Sequence, residues 1–174
     1  MKLQEMIGIS VFDVEEGKEI GKVCDFILDA HWTIVGFVLE RKALFSNMVK
    51  TIDWSEIVAY GEDAVMIRNQ QAVRMTKADN IQFTYSLGKH KLKDLPVLTE
   101  DGLMLGRISD VYIDQEVGNT IVSLEICDGF VMDLIEGRKW LPCTSDMVVG
   151  EDAVVVPPMS EERLVKPLIL EADR

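Results

Sequence analysis

Four aspartates recur as two matched pairs: Asp25 with Asp29, and Asp110 with Asp114, each pair separated by four residues. Residues four apart on a strand share a face. Each pair could therefore hold a cation or divide acid and base roles, since two nearby carboxylates push one pKa up. Such chemistry also needs a pocket and unlike surroundings for the two carboxyls. These pairs instead repeat at the same place in two stretches of chain, which is the expected use of solvated acids at a strand end that open the following turn. His31 and His90 stand 59 residues apart, with no HxxxH spacing to aim two imidazoles at one ion. Cys24, Cys127 and Cys143 are odd in number and lack a CxxC spacing, so they read as reduced thiols among apolar neighbours. No third group orients a Cys–His pair for nucleophilic attack. Gly17 and Gly21 are followed by neither G-K-[ST] nor a helix, and so are not a phosphate loop. The sequence predicts no catalytic residue, no metal site and no cofactor.

The elements that carry the aspartates form a repeat. Glu16-Gly17-Lys18-Glu19-Ile20-Gly21-Lys22-Val23-Cys24-Asp25 matches Asp101-Gly102-Leu103-Met104-Leu105-Gly106-Arg107-Ile108-Ser109-Asp110 at a spacing of 85. Gly61-Glu62-Asp63-Ala64-Val65 then recurs identically from Gly150 at a spacing of 89. Two copies of so long a unit are too few for a solenoid and point to tandem small domains. The boundaries predicted are residues 1–72 and 92–157 for the domains, 73–91 for a linker and 158–174 for a tail.

Within each copy the pattern is of strands. Residues 19–29 and 104–114 approximate alternation, and Thr33-Ile34-Val35-Gly36-Phe37-Val38-Leu39 and Thr120-Ile121-Val122-Ser123-Leu124-Glu125-Ile126 are rich in β-branched residues. Gly17 and Gly102 sit at turn positions, and Gly21 and Gly106 suit close backbone packing. The fold class expected is all-β, two small antiparallel barrels joined by a partly helical linker.

The repeated pattern G-x-x-x-G-[KR]-[VI]-x-D-x-x-x-D, followed by a β-branched strand and a segment ending in G-E-D-A-V, resembles the PRC-barrel family. Asp53-Trp54-Ser55-Glu56-Ile57-Val58 and Leu141-Pro142-Cys143-Thr144-Ser145-Asp146-Met147-Val148 are the intervening elements, with Asp53 where Pro142 stands in the second copy. The resemblance implies a closed barrel of about six strands per copy and a role in docking on other proteins, with no catalytic motif to carry over. Members are similar to the cytoplasmic domain of the photosynthetic reaction-centre H subunit and to the C-terminal domain of a factor that matures the small ribosomal subunit.

Charge narrows the partners. The 174 residues carry 30 acidic and 18 basic side chains, a net −12, and such a field repels phosphate backbones and anionic headgroups. Direct contact with nucleic acid is not expected, although Arg68, Arg74, Lys77, Lys89, Lys91 and Lys93 gather near the linker. No stretch is apolar enough to cross a membrane as a helix, so the cytoplasm is the expected location. Leu44, Phe45 and Met48 are apolar for a connection between strands and are the predicted partner-binding residues. Trp32, Trp54 and Trp140 are expected to fill barrel ends. The function expected is a non-catalytic protein-interaction adaptor, with a homo-oligomer left open. Its rivals are an RNA-associated assembly factor docking on a ribosomal protein and a binder of a small ligand or metal ion through the aspartates.

Overall fold

The structure is a computed structural model describing residues 1–39, 47–114, 116, 118–129 and 137–166. The chain forms two units, Met1–Leu92 with Ile113–Ile121, and Lys93–Tyr112 with Val122–Arg174.

Unit 1 opens with a single helical turn, α1 (Leu3–Met6), which buries Leu3 and Met6. Eight strands follow: β1 (Ser10–Asp13), β2 (Glu19–Leu28), β3 (Ile34–Leu39), β4 (Met48–Asp53), β5 (Ile57–Tyr60), β6 (Ala64–Ile67), β7 (Val73–Lys77) and β8 (Phe83–Thr84). They form one sheet in the order β5-β6-β1-β2-β3-β4-β7, with β8 pairing the end of β2. Unit 2 contains β9 (Pro96–Thr99), β10 (Met104–Ile113), β11 (Ile121–Cys127), β12 (Lys139–Pro142), β13 (Val148–Val149) and β14 (Val154–Val156). Their order is β12-β11-β10-β9-β14-β13. Strand for strand, this is the order of β4-β3-β2-β1-β6-β5, so the sequence repeat is a repeat of topology.

The strand pairings are antiparallel as expected, with one parallel pair in each unit. β1 pairs β6 in parallel, and β14 pairs β9 in parallel. The cause is topological: a chain that curls six strands round one core brings its first and last long strands side by side running the same way.

The inner faces make the cores. In unit 1, Phe26 and Phe37 meet across β2 and β3 with ring centroids 6.4 Å apart, and Ile52 of β4 is also fully buried. In unit 2, Val97, Ile108, Leu124, Leu141, Val154 and Val156 are all fully buried. Each such side chain contributes roughly 1.5–3 kcal/mol by leaving water.

Gly36 and Gly106 make the close packing possible. A Cβ on Gly36 would lie 2.5 Å from the Ile52 carbonyl oxygen, and one on Gly106 (φ +135°) would lie 2.5 Å from that of Cys127. Gly21 differs, since the nearest atoms to its Cβ position belong to Leu39 at 3.7 Å or more. Gly17 (φ +64°) and Gly102 (φ +92°) sit in the hairpin turns, with open space around them.

Residues 73–92 fold as part of unit 1. Val73–Lys77 is strand β7 on the edge of β4, and the helical content here is one single 3₁₀ turn, Ala78–Asn80, with another, Gln70–Ala72, just before β7. Unit 1 also includes the turn between β10 and β11, where the Ile34 N–H donates to the Asn119 carbonyl and Asn119 Nδ2 donates to the Ile34 carbonyl, both at 2.8 Å. After β14, Ser160–Arg163 makes a further 3₁₀ turn, and Val165 bridges Trp140 on the edge of β12.

Candidate functional site

The repeated aspartates are engaged by backbone. In β2 the register steps from Val23 opposite Leu39 to Asp25 opposite Val38, which makes Cys24 an extra residue. The bulge turns both Asp25 and Phe26 into buried positions. Asp25 is 2% exposed. Its Oδ1 accepts from the Phe26 N–H at 2.9 Å, the Ser86 N–H at 2.9 Å and Ser86 Oγ at 3.1 Å, while Oδ2 accepts from the Leu87 N–H at 2.7 Å. Burial raises the Asp25 pKa, against the opposing pull of these hydrogen bonds. The carboxyl thereby fastens residues 86 and 87 to the middle of β2.

Asp110 occupies the matching place in β10. It is buried, and its Oδ1 accepts from the Val111 N–H at 2.8 Å. Asp29 Oδ1 accepts from the His31 and Thr33 N–H groups, and Asp114 Oδ1 accepts from that of Glu116. Both are turn contacts made by a side chain to its own downstream backbone. The acids of each pair thus serve different local structures.

The remaining sequence candidates are scattered. His31 is exposed, and His90 meets Phe83 edge-on at 6.2 Å. The three cysteines are half-buried and form no disulfide, and burial pushes the Cys143 thiol up to about 12. That disfavours the thiolate a nucleophile or metal ligand would need. Among the described residues no three His, Cys, Asp or Glu side chains are grouped to hold a metal ion. Arg68 and Arg74 pair with Glu56 at 3.5 Å and Asp53 at 3.0 Å. Trp54 packs edge-on to Tyr60 and Trp140 edge-on to Tyr112, while Trp32 takes a left-handed conformation (φ 63°) in the turn after Asp29. Leu44 and Phe45 lie outside the described residues. Met48 opens β4 and is exposed.

One polar cluster was missed in the sequence. Glu125 of β11 is 2% exposed, accepts from Ser109 Oγ of β10 at 2.6 Å, and pairs with Arg138 Nη1 at 2.7 Å. In unit 1 the matching positions are Cys24 and Val38, so the cluster belongs to the second copy alone. Its signal lay in the repeat, where a glutamate stands in a strand that is apolar in the first copy. The arrangement ties β10, β11 and the approach to β12 together.

Two matched curled sheets each carry a repeated pair of aspartates that accept from backbone N–H groups. The PRC-barrel domain model matches residues 1–74 and 87–163. The chain therefore belongs to the PRC-barrel family, as a tandem of two such domains. No curated protein matches it. Among the described residues no helix is long and apolar enough to cross a membrane.

Proposed function

We propose that the chain is a non-catalytic protein-interaction adaptor of the cytoplasm, whose two barrels present surfaces to a protein partner. The observation that carries this reading is the engagement of the repeated aspartates. The side chains best suited by type and spacing to chemistry hold bulges and turns, Asp25 above all with its four donors from Phe26, Ser86 and Leu87. What distinguishes the chain to a partner is then surface shape, apolar exposure and a net charge of −12. Leu44, Phe45 and Met48 remain proposed contact residues.

The test is a tagged pull-down from lightly crosslinked cells, divided into nuclease-treated and untreated halves. A stoichiometric protein partner that survives nuclease and repeats with purified components supports the adaptor. Partners lost with nuclease shift the assignment to an RNA-associated assembly factor. A rise in melting temperature on adding calcium alone, with no protein partner, assigns a ligand binder instead.

A further inference from the structure

One row of side chains crosses the outer face of unit 2 without a polar member. The strand registers set Met104 of β10 opposite Leu98 of β9, Leu98 opposite Val155 of β14, and Val155 opposite Val148 of β13. Residues in register across a sheet project from the same face. The core face here belongs to Val97, Val154 and Val156, all fully buried, so the row faces outward. Its ends are open, Met104 at 48% and Val148 at 60% exposure, with Leu98 and Val155 half-buried between them. Three interstrand gaps make the row about 14 Å long.

Acids bracket this stripe on both sides. Glu100 and Asp101 follow the end of β9, and Glu151 and Asp152 precede β14; all four are exposed. Because β9 and β14 run parallel, the two acidic pairs lie at opposite ends of the strands, separated by a four-residue strand of about 13 Å. That width matches the roughly 10–12 Å of an α-helix with its side chains. A helix laid along the stripe would bury one apolar face at i, i+3, i+4 and i+7 and turn its flanks to the acids.

From this geometry we infer that the Met104-Leu98-Val155-Val148 stripe is the docking site for a cationic amphipathic helix of a partner protein. The inference rests on the adaptor reading and names the partner's chemistry. Charge decides the occupant. Unit 2 holds 15 acidic against 7 basic residues, so a second copy on the stripe would press acids against acids, whereas lysines or arginines on a helix flank find partners on both sides. Methionine at one end suits such a surface, since its flexible thioether side chain adapts to varied apolar shapes.

Unit 1 supplies a natural control. Its matching row is Glu19, Phe12, Met66 and Ala59, with the same acidic brackets, Glu15 and Glu16 on one side and Glu62 and Asp63 on the other. A charged residue and a small one replace the two exposed apolar ends, so the first copy has the acids without the continuous stripe.

The test uses the full chain and a synthetic amphipathic helix of leucine and lysine, with a lysine–serine version as the charge-only probe. The double variant Met104→Glu with Val148→Ala gives unit 2 the residues unit 1 already carries at these positions, and thermal unfolding checks that it folds. We expect saturable one-to-one binding of the leucine–lysine peptide, weakened about tenfold in the variant despite its added negative charge, and much weaker binding of the lysine–serine peptide. Equal affinity in wild type and variant, or equal affinity for both peptides, overturns the inference. So does a wild-type dimer in sedimentation that the variant abolishes, because the stripe is then a self-contact. If the pull-down yields a nuclease-resistant partner whose binding survives the double variant, this site fails while the adaptor stands.

Discussion

Gly106 and Gly21 occupy the same place in the two copies and differ in what surrounds them. At Gly106 a Cβ would fall 2.5 Å from a backbone oxygen and 2.7 Å from Ile126 Cγ2, while at Gly21 the nearest atoms are those of the Leu39 side chain, at 3.7 Å or more. A backbone oxygen cannot step aside without opening the β10–β11 ladder. Gly106→Val is therefore expected to cost about 3 kcal/mol or more in urea denaturation, and Gly21→Val less than half of that. Equal costs would remove close approach as the reason for the glycine.

Asp25 gives a prediction in pH. Burial is the main cause of its raised pKa, so the folded carboxyl keeps its proton to higher pH than the unfolded one. The stability this linkage contributes is full below the ordinary Asp value of 3.8 and is lost as pH rises to the folded value. Relative to Asp25→Asn, the wild type should lose stability as pH rises through that window, and a flat or opposite difference would refute the burial argument. At neutral pH Asp25→Asn should cost about 1–3 kcal/mol, because its NH₂ must face one of the N–H donors of Ser86 or Leu87. These partners stand 61 and 62 residues from Asp25. The repeat revealed the aspartate, and nothing local in the sequence revealed what it holds.

Among the elements, strand identity was legible where one face is apolar and obscure where it is not. The core strands β2, β3, β10 and β11 carry β-branched runs that only a sheet satisfies. β7 reads as Val73-Arg74-Met75-Thr76-Lys77, with no fully buried residue, because it is an edge strand covered on one side only. Hydrogen bonding to β4 holds it, from Met48 opposite Lys77 to Ile52 opposite Val73, and polar composition hid that. Gly36 was obscured the other way, set inside a β-branched run with no turn to mark it. Two ion pairs that look alike should differ for the same reason of context. Arg74–Asp53 joins side chains 63% and 43% exposed, so Arg74→Ala should change stability by less than about 0.5 kcal/mol. Arg138 meets a Glu125 side chain that is 2% exposed. Arg138→Ala should cost about 1–2 kcal/mol, the larger loss coming from a charge left in the protein interior, with the arginine's own exposure keeping it below a fully buried pair. Double-mutant cycles with Asp53→Ala and Glu125→Ala would separate the two cases.

The whole molecule is two cores on one chain, and each core has its own tryptophans. Trp32 and Trp54 belong to unit 1 and Trp140 to unit 2, so variants that keep only one class report the units separately. The same close-packing device occurs in each unit, Gly36 against the Ile52 carbonyl and Gly106 against that of Cys127. Adding a methyl at either should weaken the sheet that contains it. Gly36→Ala is expected to lower the urea midpoint seen by Trp32 and Trp54 more than that seen by Trp140, and Gly106→Ala to do the reverse. Separate midpoints would make a single unfolding free energy meaningless for this chain. They would also let either barrel be altered for binding studies without unfolding the other. If both substitutions move both reporters equally, the two cores unfold as one cooperative body, and the tandem repeat must then be treated as a single folding unit despite its two separate sheets.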